Sequence, residues 1–209
     1  MSSENVSPTR INLIQTKKTL KLAESGREVL ERKRDILIRE LRNSIYDAER
    51  AREELLAALS KAYQSLKDAN IAKGSETVAN VALASSSEAD YLFDYKSIMG
   101  VAVPNVEFQG DPNAKPNYGF VSTGVDLDKA FRQFNIVLDL IAELARAEGT
   151  TYQIANDVRR TQRRVNALNY VLIPRYRNIV KSIDLALEEK DREEFVRTKI
   201  IKRVIKEKE

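Results

Sequence analysis

The side chains best placed to do chemistry in this 209-residue chain are cations. Arg159, Arg160, Arg163 and Arg164 form two pairs four residues apart, so on a helix they share one side. Lys199, Lys202, Arg203 and Lys206 crowd the C-terminal segment. Guanidinium and ammonium groups in such clusters bind carboxylates or phosphates without making or breaking bonds. A solvated basic face is the other reading of the same spacing. Arg27 and Arg34 stand where a seven-residue apolar repeat should place leucine. Either they snorkel at the edge of the seam, or they join Gln162 and Asn166 in a polar layer that fixes register at a cost in stability.

Bond-making chemistry has little to work with. Histidine and cysteine are both absent, which removes the usual general base, thiolate metal sites and disulfides. No glycine-rich loop ends in Gly-Lys-Ser/Thr, and the carboxylates are dispersed along helix faces. The chain is therefore expected to be no enzyme, with no catalytic residue, no cofactor and no metal. Net charge is +4, from 35 basic and 31 acidic residues. That balance tolerates a nucleic-acid partner but does not call for one. Residues 1–10 are polar, without the apolar core of a signal peptide, and no apolar run is long enough to span a bilayer. These features, with the absence of cysteine, point to a cytoplasmic location.

Long helices must position the cations. Ser7 and Pro8 mark a helix entry, with Ser7 as cap. One seven-residue series then runs Leu13, Leu20, Leu41, Ala48, Leu55, Ala62, interrupted by Arg27 and Arg34. A second runs Ala23, Leu30, Leu37, Ser44, Ala51, Ala58. An offset of three makes them the a and d positions of a coiled coil, predicting a helix of roughly 85 Å to about residue 66. Gly26 inside it suits close approach of a neighbouring backbone, or is merely tolerated.

From Asp126 the repeat returns through Ala130, Val137, Leu144, Thr151, Val158, Val165, Leu172, Ile179 and Ala186. Its companion series includes Leu127, Phe134, Ile141, Glu148, Ala155, Gln162, Asn169, Tyr176 and Ile183. This helix should reach Lys202 or beyond, with Pro174 bending it locally while the heptads stay in phase. Between the two lie short helices, at about 75–84 and from Ser85-Ser86-Ser87-Glu88 to about Ser97. A β-hairpin is expected at about 100–122, with one strand through Val101, Val103 and Phe108 around Pro104, and another through Tyr118, Phe120 and Val121. The expected fold is all-α dominated: a long antiparallel two-helix coiled coil with a central insert of short helices and a hairpin. Its parts are 1–66, 67–125 and 126–209, residue 66 facing about 127 and residue 10 about 183, so that the last helix extends past the N-terminus.

Three blocks of sequence resemble the D subunit of the archaeal and vacuolar-type rotary ATPases. The first is Pro8-Thr9-Arg10 with Leu13, Ala23, Gly26, Leu30 and Lys33-Arg34-Asp35. The second is Met99-Gly100-Val101 with Pro104. The third is Arg163-Arg164-Val165-Asn166-Ala167-Leu168 and Ile173-Pro174, then Glu188-Glu189, Arg192-Glu193-Glu194 and Lys199. Asn169 departs from the pattern, which has an acidic residue there. The resemblance implies a central rotor shaft that couples ion movement through a membrane ring to ATP synthesis or hydrolysis. Its implied partners are the A and B subunits of the catalytic head, the F subunit, and the C subunit that connects to the proteolipid ring. The implied location is peripheral, on the cytoplasmic side of the membrane. On that reading Arg160, Arg163, Arg164, Lys199, Lys202, Arg203 and Lys206 are candidate partner contacts, Gly26 and Pro174 shape the helices, and Gly100, Val101, Pro104 and Phe120 shape the hairpin. A stand-alone coiled-coil scaffold or tether is the alternative.

Overall fold

The computed structural model describes residues 7–84, 90–110, 118–119 and 124–206. In chain order these form α1 (Arg10–Lys73), α2 (Ser75–Ala84), β1 (Tyr91–Ile98), β2 (Val101–Phe108), α3 (Val125–Ala167), a π-helical turn (Leu168–Leu172) and α4 (Ile173–Lys206). Two compact units result: Ile36–Val158, and Met1–Asp35 with Arg159–Glu209.

In the Ile36–Val158 unit, α1 and α3 pack antiparallel along the seam that the heptads name. Leu37, Ser44, Ala51, Ala62 and Ala69 are buried on α1. Opposite them, Leu127, Ala130 and Val137 are buried on α3. The Ser44 and Thr151 hydroxyls hydrogen-bond across the seam at 2.7 Å. Tyr63 meets Phe134 edge to face, with centroids 5.8 Å apart. Ala69, Val78 and Leu127 form a buried cluster, and Leu66 and Tyr118 pack against it. The Tyr118 hydroxyl donates to Asp128 Oδ1 at 2.8 Å.

On α3 the buried stripe is wider than two positions per heptad. Ile141 and Glu148, named by the repeat, are exposed, whereas Ala142 and Ile154 are buried. At Ile154 the reason is a second partner besides α1. Ile154 packs with Leu37 from α1 and with Val101 and Val103 from β2, so the helix faces two neighbours at once.

The hairpin itself is not where the sequence pattern puts it. β1 pairs antiparallel with β2 from Tyr91↔Phe108 to Ile98↔Val101. The segment from Tyr91 to Ser97, expected as helix, is thus a strand. The expected partner strand at 118–121 does not form at Tyr118, and Phe120 and Val121 lie outside the described residues. Met99 (φ 51°) and Gly100 (φ 79°) form the two-residue turn. Both residues of such a turn need left-handed backbone, because that twist matches the flanking strands. β2 is largely buried and β1 largely exposed.

In the other unit, the first part of α1 packs antiparallel against α4. Thr9, rather than Ser7, caps α1: its Oγ1 accepts the Asn12 N–H at 3.2 Å. Three ion pairs then step along the helices at seven-residue intervals. Arg10 meets Asp191 at 3.2 Å, Lys17 meets Asp184 at 3.2 Å, and Glu24 meets Arg177 at 2.6 Å. Arg10 therefore faces Asp191 rather than residue 183. Side chains on antiparallel helices lean toward their own N-termini, so a long arginine reaches a partner beyond its own level. α4 continues to Lys206, past the residue that faces the start of α1.

Candidate partner-contact surface

The third sequence block builds the most distinctive surface, all within the unit that contains the termini. Val165 is buried on the inner side of α3. Arg159, Arg160, Arg163 and Arg164 are exposed on the outer side. None of these four has an ion pair or hydrogen bond among the described residues. That sets them apart from Arg10, Arg27, Arg34 and Arg177, each of which has a carboxylate within 4 Å. Four adjacent unpaired cations repel one another, and an anionic partner relieves that repulsion.

Behind the stripe, the seam is polar. Arg34 Nη1 donates to Gln162 Oε1 at 3.2 Å, and Gln162 Nε2 donates to Asn166 Oδ1 at 2.8 Å. Arg34 also holds Asp35 at 2.7 Å. The polar-layer reading of Arg34 thus holds, with the two residues named from sequence. Arg27 reaches Asn169 Oδ1 at 3.5 Å, and its buried Nε has no hydrogen-bond partner, with Glu31 the carboxylate nearby at 3.8 Å. Asn169 gives Arg27 a neutral acceptor, where a carboxylate would give a stronger bond.

The helix then widens for one turn. Ile173 N–H bonds to Leu168 O, five residues back. Pro174 has no N–H to give, and its ring would crowd the carbonyl four residues behind. Placing the proline just after a π-turn spares that clash, so the helix runs on into α4. Ile173 is the most buried side chain at this level, while Leu172, the position named by the repeat, is half-buried. The wide turn inserts one extra residue, so the buried positions step from Val165 to Ile173 and the heptads do not stay in phase at Pro174 as expected. Tyr170 and Val171 stand exposed on the outside of the turn.

The other sequence-derived candidates sit apart from this surface. Lys199, Lys202 and Arg203 are exposed on α4, and Lys206 is its last residue. At Gly26 no heavy atom of the described residues lies within 4 Å of where a Cβ would stand, so none of their backbone approaches it closely. The close approach occurs at Gly149 instead, where an added Cβ would lie 2.6 Å from Pro104 Cγ. Sequence reading missed that contact because the two residues are brought together only by the hairpin's seating on α3. In the hairpin, Gly100 forms the turn, Val101 is buried and Pro104 rests on Gly149. Phe120 lies outside the described residues. No helix among the described residues is long and apolar enough to cross a membrane.

Comparison with known proteins agrees across nearly the whole chain. A family model for the D subunit of ATP synthase matches residues 12–203. The D subunit of an A-type ATP synthase from Methanopyrus kandleri is 37% identical over 206 residues, covering 98% of this chain and 89% of its own. Its counterpart from a V-type ATP synthase of Thermotoga neapolitana is 38% identical over 198 residues, covering 95% and 97%. The A-type D subunit from Thermococcus sibiricus is 38% identical over 207 residues, covering 97% and 96%.

Proposed function

Because the chain belongs to the family of ATP synthase D subunits, we propose that it is the central rotor shaft of an archaeal/vacuolar-type ATP synthase. The shaft is not itself catalytic. It carries rotation between an ion-conducting ring in the membrane and a head of A and B subunits that hold the nucleotide sites. Segments 1–66 and 126–209 form the shaft, with the termini inside the head. The insert, 67–125, lies toward the membrane, where the F subunit and the C subunit join it to the proteolipid ring. The protein is peripheral, on the cytoplasmic side.

The observation that carries this reading is the family match over residues 12–203 on a chain of paired antiparallel helices. A two-stranded coil resists twist better than a single helix, and small seam residues such as Ala51 and Ala62 keep it slim. The unpaired arginines on one side make its surface asymmetric, as a part that meets similar neighbours in turn requires. In this reading Arg160, Arg163, Arg164 and the basic residues of α4 meet acidic loops of the head.

Copurification of the tagged chain from its native membrane tests the proposal. Recovery of A, B and F subunits is the expected result. Recovery of the chain alone, or with nucleic acid, would refute it and favour the scaffold reading. Replacing Arg160, Arg163 and Arg164 with alanine should leave the isolated chain's stability within about 0.5 kcal/mol, since exposed side chains contribute little. In the assembled complex the same triple variant should lower torque and coupled ATP hydrolysis. Unchanged torque would remove the arginine stripe from the mechanism.

A further inference from the structure

The outer strand of the hairpin carries hydrogen-bonding groups that have no partner among the described residues. Ile98 and Val101 flank the two-residue turn and so exchange hydrogen bonds with each other. At the other end Gln109 N–H donates to Asp90 O at 2.9 Å, in the same phase. Leu92, Asp94, Lys96 and Ile98 therefore turn their backbone groups toward β2. Tyr91, Phe93, Tyr95 and Ser97 turn theirs away. Among the described residues only one of those outward N–H groups is answered: Tyr95 N–H, by Asp94 Oδ1 at 2.7 Å.

Proteins usually shield a sheet edge with a proline, a bulge or a covering element. Among the described residues β1 has none of these three, and only the charges of Asp94 and Lys96 mark the edge. Its eight residues pair one to one with β2, and the hairpin's proline, Pro104, is in the inner strand. Phe93 and Tyr95 share a face beside the open edge and are 71% and 73% exposed. Leu92 is exposed on the opposite face. An outward N–H and C=O at every second residue fits an extended chain and nothing else of comparable length.

We propose that β1 is completed by a third strand, an extended segment of another polypeptide in the assembled ATP synthase. That segment places apolar side chains against Phe93 and Tyr95, a cation near Asp94 and a carboxylate near Lys96. Asp94 keeps one donor answered while the strand is absent. The inference rests on the rotor reading to this extent: a rotor has a single copy of this chain on its axis, so the occupant is a neighbouring subunit rather than a second copy.

Residue-resolved hydrogen exchange tests it, on the full chain alone and on the complex copurified with that chain. In the free chain the Phe93 and Ser97 amides exchange fast while Leu92 and Lys96 are protected. In the complex Phe93 and Ser97 are expected to slow by about tenfold or more. Ser97→Pro removes an outward donor that the hairpin does not use, so it should weaken Phe93 protection in the complex, whereas Ser97→Ala should not. Fast Phe93 and Ser97 amides in a complex that contains A and B subunits would overturn the third strand and leave the rotor reading intact. Protection that appears in the free chain and grows with its concentration would overturn it in favour of a second copy. A chain recovered without A and B would overturn both readings.

Discussion

Alanine at Gly26 and alanine at Gly149 should move stability in opposite directions. Both glycines lie inside helices, where glycine costs about 1 kcal/mol relative to alanine. At Gly26 the new methyl meets open space, so the whole gain is realised. For a chain of this size that raises Tm by about 2–4 °C. At Gly149 the same gain is opposed. The methyl would sit 2.6 Å from Pro104 Cγ, 3.7 Å from Cδ and 3.9 Å from Cβ. Ordinary carbon contact needs about 1 Å more than the shortest of these. The proline ring is rigid and is held by β2, so relief requires the hairpin to move. Overpacking of this kind costs about 1–3 kcal/mol. The net expectation is a loss of up to about 2 kcal/mol for Gly149→Ala, the clash less the helix gain. Thermal and urea unfolding followed by circular dichroism would measure both. Adding Pro104→Ala should remove the clash, so the double variant should be more stable than the two single changes sum to. A rise in Tm for Gly149→Ala equal to that for Gly26→Ala would refute the seating of the hairpin on α3.

Three other changes test separate contacts. Met99 holds a left-handed backbone that costs a non-glycine residue about 1 kcal/mol, so Met99→Asn should stabilise by about that amount and Met99→Val should destabilise. Urea midpoints for the two variants check this, and equal midpoints would contradict the turn. Asn169→Asp should give Arg27 a charged acceptor and add about 1 kcal/mol at pH 7, a gain absent at about pH 3 where the carboxylate protonates. The difference between variant and parent at the two pH values is the measurement. Burial and the hydrogen bond to Asp128 push the Tyr118 hydroxyl's pKa well above its ordinary value. The folded chain thus retains this proton where the unfolded chain loses it. Its contribution is complete below about pH 10 and is lost as pH rises further, so Tyr118→Phe should lose stability less steeply than the parent above that pH. Parallel slopes would show that Tyr118 is not held by Asp128.

The long helices were legible because their seam is built from residues whose size and polarity recur every seven positions. Leu37, Ser44, Ala51 and Ala62 are buried where the repeat places them. Arg34 and Gln162 were legible for the complementary reason: two polar residues at seam positions have to satisfy one another, and Asn166, one turn on from Gln162, accepts its free amide N–H. β1 was hidden because an exposed strand needs no alternation of apolar and polar residues, and Ser85-Ser86-Ser87-Glu88, which lies outside the described residues, reads in sequence as a helix start. The two-residue signal at Met99-Gly100 was available, but it is weak without a recognisable strand on its N-terminal side. Ile154 was missed because the heptad assumes one partner per helix, and at Ile154 α3 has two. The π-turn follows from Pro174, yet a proline alone does not say whether the helix will bend, break or widen. Gly149 was unreadable, since its reason for being glycine lies in the ring of Pro104.

The three ion pairs between α1 and α4 are exposed or half-exposed, and each adds only about 0–1 kcal/mol. Their arrangement says more than their strength. The first two rungs place the cation on α1 and the anion on α4, and the third reverses the order. Suppose the helices slid by one heptad. In one direction Lys17 would come opposite Arg177. In the other, Glu24 would come opposite Asp184. Either displacement turns an attraction into a repulsion, although the apolar seam would look much the same after the slide. The inverted rung works like a parity bit: it stores almost no energy, but it marks every one-step error in alignment.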